Sequence, residues 1–263
     1  MIGWLRARRR RRLLAEPFPD AWPGILQANV AHYGRLEEEE RARLRDFVKV
    51  FVAEKSWEGC GGLEMDDTIR VTISAQAGLL VLGRRHDYYR NVRSILVYPG
   101  TIVTPDRPSG AFELPSVRSA AGIPILGEAQ LRGPVLLVWD AALKGARHPE
   151  QGHDVVFHEF AHKLDMLDGA PDGTPVLESR EAVERWSEVC SAAFEELRAR
   201  VARRQKTFID AYGATNEAEF FAVATEFFFD RPREMKRHEP ALYGVLRDFY
   251  HQDPASRPAS PAG

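Results

Sequence analysis

The segment Val155-Val156-Phe157-His158-Glu159-Phe160-Ala161-His162-Lys163-Leu164 constrains this chain more than any other. Its two histidines are four residues apart, which puts both side chains on one face of a helix, one turn apart. Most of the other residues are apolar, so the helix belongs in a core, where a histidine needs a partner. Two imidazoles at this spacing can grip one Zn²⁺ ion at about 2.0–2.1 Å each. Glu159 points beside such an ion rather than at it. From there its carboxylate can take a proton from a water that the metal acidifies and pass it to a leaving amine. His-Glu-x-x-His on a helix is the metalloprotease pattern. The plain alternative is a pair of core histidines satisfied by hydrogen bonds. A chance match on an exposed helix would have more polar neighbours.

The rest of the chain reads as globular. Its 263 residues are 44% hydrophobic, enough to bury a sizeable core without disulfide staples. A net charge of −2 gives no global reason to expect direct nucleic-acid binding. Only Cys60 and Cys190 could pair, so a reducing cytoplasm is the simpler expectation. Residues 1–20 include arginines at every position from 8 to 12, and Leu13-Leu14 gives way at once to Glu16-Pro17-Phe18-Pro19. No apolar stretch follows the charges, so neither a secretory signal nor a membrane span is expected. This stretch reads as a disordered basic arm, with weak attachment to anionic lipid or nucleic acid as the alternative. Residues 251–263 read as a flexible tail rich in Pro, Ala and Ser. One domain is expected between them, over 21–250.

Within it, Leu44, Phe47, Val48, Phe51 and Val52 recur at helical spacing and predict a helix over 36–53. Residues 68–82 are apolar and fit helix or strand. Residues 92–98, followed by Pro99-Gly100, and residues 134–139 read as strands. The motif helix is expected over 152–167, closed by the glycines and proline of 169–173. Two further helices are expected over 178–204, with Val183, Trp186, Val189, Ala193, Leu197 and Val201 as its apolar stripe, and over 216–229. Strands early and helices late indicate an α+β fold.

A catalytic zinc needs a third protein ligand and an open fourth position. Asp168 lies six residues past His162, but that arrangement needs a glycine where Asp165 stands. Glu217 lies in a segment that would need an aspartate where Phe221 stands. Glu219 sits on a mostly aromatic helix, where a carboxylate is costly to bury unless paired or metal-bound. Asn216-x-x-Glu219 also fits a variant capping box, so spacing leaves ligand and cap both open. Glu226, seven residues on, shares that face and is a substitute ligand or a partner to one. Asp165 shares the histidine face and fits either a carboxylate that orients a ligand histidine or a plain helix-surface carboxylate.

The chain resembles the Mlc titration factor A-like zinc metallopeptidases. The resemblance rests on His-Glu-Phe-Ala-His-Lys-Leu-Asp at 158–165, Ile-Asp-Ala-Tyr at 209–212 and Ala-Glu-Phe-Phe-Ala-Val at 218–223. Weaker echoes are Ile95-Leu96-Val97-Tyr98-Pro99, Gly133-Pro134-Val135 and Phe249-Tyr250-His251-Gln252-Asp253-Pro254, so it runs from about 20 to 255. It implies Glu219 as third ligand to one zinc per chain, beside His158 and His162. It also implies Tyr212 as an active-site tyrosine donating to the oxyanion, with Glu159 as the base. Through the likeness of that family to other gluzincins, it implies a single catalytic domain. In that domain a small mixed sheet packs on helices, and the metal site lies between two of them. A peptide could add to a strand at the cleft edge, for which 134–139 is the candidate.

Two functions compete. One is a peptidase of aminopeptidase-like or limited specificity, acting as a monomer on peptide substrates. The other, implied by the resemblance, is capture of an Mlc-type repressor of glucose phosphotransferase genes, with the zinc site secondary. A purely structural zinc would need four protein ligands, and the sequence offers one downstream glutamate of the right kind.

Overall fold

The computed structural model describes residues 2–100 and 133–258; part of the expected domain, 101–132, lies outside them, as do Met1 and 259–263 of the expected tail. Helix α1 spans Ile2–Ala15, α2 Trp22–Asn29 and α3 Glu38–Glu54. Strand β1 (Ser56–Gly59) leads to α4 (Asp67–Val81) and then β2 (Ser94–Tyr98). After the undescribed stretch come β3 (Val135–Val138), α5 (Trp139–Arg147) and α6 (Val155–Asp165). The chain closes with α7 (Arg180–Ala202), α8 (Glu217–Asp230), α9 (Pro232–His238) and α10 (Pro240–Tyr250).

The ambiguous apolar run is the helix α4. Asp66 caps it by accepting the Ile69 N–H at 2.8 Å, and from Val71 to Val81 every side chain is buried. A helix buried all round shows no periodicity, which is why its sequence could not be told from a strand. Helix α4 packs against α2, α3 and α6 and forms the centre of the core.

The fold is α+β, with many helices around a small sheet. The sheet order is β1-β2-β3, with Trp57 opposite Ile95 and Ile95 opposite Val135. All three described strands run parallel, so the antiparallel member that a mixed sheet requires is not among the described residues. Parallel strands need crossovers, and α4 supplies the one between β1 and β2. Ile95, Val97, Val135 and Leu137 alternate inward and are buried. Strand β3 lies at an edge of the described sheet and contacts α6.

Within the stretch read as a basic arm, residues Ile2–Ala15 form α1, which packs on α3. Arg10 forks onto both carboxylate oxygens of Glu54 at 2.8 Å each, binds Asp87 and lies 4.4 Å over the Tyr88 ring. These partners are far along the chain, so the local sequence gives no sign of them. The tail is docked as far as it is described: Gln252 is buried and donates to the Leu79 carbonyl at 2.8 Å, and Arg257 pairs with Glu40 at 2.6 Å.

Candidate metal centre

Helix α6 is pinned in rotation by its aromatic residues. Phe160 packs against Tyr89 and Phe51, with ring centres 4.8 and 5.8 Å away, and Phe157 packs against Phe229 of α8 at 5.3 Å. Asp154 caps the helix, accepting the N–H groups of Val156 and Phe157 at 2.9 and 3.0 Å. With α6 fixed this way, His158 and His162 face α8, and the chain reaches Glu219 on that helix.

Three donor atoms meet there. His158 Nε2 lies 3.0 Å from Glu219 Oε2, His162 Nε2 lies 3.5 Å from the same oxygen, and the two Nε2 atoms are 3.2 Å apart. A four-coordinate ion with ligand bonds of about 2.0–2.1 Å would separate its ligands by about 3.3–3.4 Å. The observed triangle has that size. Glu219 Oε2 is buried, yet its geometry makes no hydrogen bond. A buried carboxylate oxygen left so is costly unless a cation meets it. These residues therefore fit a small divalent metal, and among the described residues they are the only His, Cys, Asp or Glu group so arranged.

The electrostatics agree. Burial works to raise the Glu219 pKa, but the two facing imidazoles override it and hold the carboxyl well below its usual range. Burial works to lower that of His158, but Glu219 and Glu226 override it and raise the imidazole well above its usual value. Two buried carboxylates demand a cation between them, which a proton or a metal can supply.

Glu226 is placed to orient His158. Its Oε1 lies 2.8 Å from His158 Nδ1, and its Oε2 accepts the Asp154 N–H at 2.8 Å. A proton on Nδ1 leaves the Nε2 lone pair aimed at the donor cluster. We expect Glu226→Gln to weaken metal affinity by about 10–100-fold, as loss of such carboxylates does. Titration of the metal-free protein against a chelating indicator measures this, and unchanged affinity would remove the role. Asp165, the other sequence candidate, does not orient a histidine. It is buried, accepts the Gly173 N–H at 3.0 Å and is pushed up to about 6 by burial.

Glu219 does not cap α8 with its side chain. Asn216 accepts the Glu219 N–H at 2.9 Å with its own side chain, leaving the carboxylate for the histidines. Asp168 and Glu217 are both exposed and take no part in the cluster. Glu159 is half-buried on α6, beside the donor triangle. Tyr212 sits in a short 3₁₀ turn, Ala211–Ala214, held between α7 and α8 and capped by Asp210, which accepts the Tyr212 N–H at 2.8 Å. Its ring centre is 6.1 Å from that of His158. Burial, then the negative charge of Glu219, Glu159 and Glu226, pushes its phenol up to about 12, so the hydroxyl keeps its proton at neutral pH.

Sequence reasoning missed the buried polar shell behind His158. Asp154, raised to about 7 by burial and by Glu226 beside it, faces the Gln76 amide, whose nitrogen, in the orientation that satisfies both groups, lies 2.9 and 2.6 Å from its carboxylate oxygens. Farther along, His32 binds Asp230 at 2.9 Å, both buried. One signal was available: Gln76 is a lone amide inside the apolar run of α4.

Comparison with known proteins agrees with this geometry. The sequence profile of the glucose-regulated metallo-peptidase M90 family matches residues 4–251. The chain belongs to that family. An uncharacterised protein of Synechocystis is 34% identical over 254 residues, covering 94% of this chain and 89% of its own. Mlc titration factor A of Salmonella agona is 30% identical over 239 residues, 90% of this chain and 88% of that one. The Serratia proteamaculans protein of the same name is 30% identical over 229 residues, 84% of each. M90 membership implies a metal, and the His158, His162 and Glu219 cluster is the group of residues here suited to hold one.

Proposed function

We propose that the protein is a zinc-dependent peptidase, with one Zn²⁺ held by His158, His162 and Glu219. The observation that carries this is the triangle of donor atoms, sized for a tetrahedral ion and containing a buried oxygen without a hydrogen bond. The mixed nitrogen and oxygen donor set suits zinc, and three protein ligands leave a coordination position open. When bound, the ion supplies a Lewis acid that acidifies water and polarises a carbonyl.

The chain's own groups do the rest. Glu159 takes a proton from the attacking water and delivers it to the departing amine nitrogen. Tyr212, protonated at neutral pH, donates a hydrogen bond to the oxygen that becomes negative when the peptide carbonyl turns tetrahedral. Strand β3, at an edge of the described sheet and against α6, offers backbone groups that could align an extended substrate, which suits limited or aminopeptidase-like specificity.

Tyr212→Phe tests the oxyanion role. We expect kcat to fall about 10²–10³-fold, the effect of removing one such donor, with KM and zinc content little changed. A fall in zinc content instead would make Tyr212 a structural residue. The wider reading is tested by zinc content together with hydrolysis of a panel of fluorogenic peptides and amino-acid anilides. Bound zinc with no hydrolysis across the panel would turn the assignment toward binding.

A second reading has its own support: relatives at 30% identity carry the name Mlc titration factor A. Capture of an Mlc-type repressor is compatible with the same fold. The proposed setting is the cytoplasm, with the chain acting as a monomer. Both cysteines are free, as a reducing compartment would leave them, and no helix among the described residues is long and apolar enough to cross a membrane.

A further inference from the structure

Helix α1 concentrates charge that the rest of the molecule does not share. Six of the 36 basic residues and none of the 38 acids lie on it, so a helix of charge +6 sits on a remainder of −8. Its docking fixes which face is free. Arg10 is committed to Glu54, Asp87 and the Tyr88 ring, Arg9 donates to the Ala53 carbonyl at 3.0 Å, and Lys49 holds the Leu14 carbonyl at 3.2 Å. At about 100° per residue, Trp4, Leu5, Arg8, Arg11 and Arg12 fall on the side away from Arg10. All five are exposed, Trp4 at 60% and Leu5 at 55%. Among the described residues, three of the six exposed large apolar side chains belong to this one short helix: Trp4, Leu5 and Leu14.

We propose that this outward face of α1 binds the surface of an anionic lipid bilayer. Arginines alone would suit any polyanion. Trp4 and Leu5 beside them favour lipid, because an indole and an aliphatic side chain gain from entering the headgroup boundary and gain nothing against a phosphate backbone. Arg8 already lies 5.7 Å over the Trp4 ring, so cation and indole present one joint surface. The docked arginines anchor the helix to the body, and the exposed ones face the lipid. Held there, the domain becomes a peripheral membrane protein.

The test uses the full chain and sedimentation with large vesicles of phosphatidylcholine, with or without about a third phosphatidylglycerol. We expect binding only to the anionic vesicles, weakening as salt rises. Each arginine at an anionic surface contributes about fivefold, so the combined variant R8S/R11S/R12S should bind about a hundredfold more weakly. Its thermal melt should match wild type, since none of the three holds α1 to the body. Trp4→Phe should remove the blue shift in tryptophan emission seen when vesicles are added. Three outcomes overturn the proposal: no binding to anionic vesicles, equal binding by the triple variant, or retention on duplex DNA or RNA without lipid partition.

Discussion

Glu159→Gln should lower kcat/KM for peptide hydrolysis about a thousandfold while zinc content stays at one ion per chain. The amide keeps the size and hydrogen-bonding edges of the carboxylate but cannot accept the water's proton. General-base catalysis contributes about 10²–10⁴-fold, so the middle of that range corresponds to about 4 kcal/mol of barrier. Glu159 lies outside the donor triangle, which consists of His158, His162 and Glu219, so the metal has no reason to leave. Metal analysis and steady-state kinetics on one preparation separate the two effects. Activity near wild type would end the proposal that Glu159 is the base. The same variant divides the two functional readings. If it still captures an Mlc-type repressor, capture is independent of catalysis.

The second large effect is expected from Glu219→Ala. Metal affinity should fall more than about a hundredfold, beyond the loss typical of a carboxylate that only orients a ligand. Two imidazoles would remain, fewer than the three protein ligands of a catalytic zinc. The fold should survive. Helix α8 is capped by the Asn216 side chain, which receives a backbone N–H and is untouched by the change. His158 keeps its contact to Glu226. The metal-free variant also loses the contact of the Glu219 carboxylate to His158 at 3.0 Å, so its melting temperature should fall modestly below that of metal-free wild type. Unchanged zinc stoichiometry and affinity would remove Glu219 from the ligand set.

Glu219, Glu226 and Asp165 mark how far the sequence could be read. Helical spacing put Asp165 on the same face as His158 and His162. The helix ends at Asp165, however, and the chain turns there, so its carboxylate serves the Gly173 N–H instead. Spacing offered Glu219 as ligand or cap with no means to choose, and its resemblance to a family segment made the choice. The structure gives the physical reason: Asn216 caps the backbone alone, and the crossing of α8 over α6 turns the carboxylate inward. Helix α1 was illegible for a similar cause. A run of arginines carries no apolar stripe, and its order comes from Glu54, Asp87 and Tyr88.

By itself the sequence determined the motif helix: two imidazoles and a carboxylate placed by local helical geometry inside an apolar segment. Periodicity needs only neighbours, so His158, Glu159 and His162 could be read directly. Only the tertiary structure decided what completes the cluster. Glu219 closes the triangle, Glu226 faces His158 Nδ1 at 2.8 Å, and Tyr212 is held nearby between α7 and α8. These come from elements some 50–70 residues along the chain, brought in by the aromatic packing of α6 against α8, which no local period encodes.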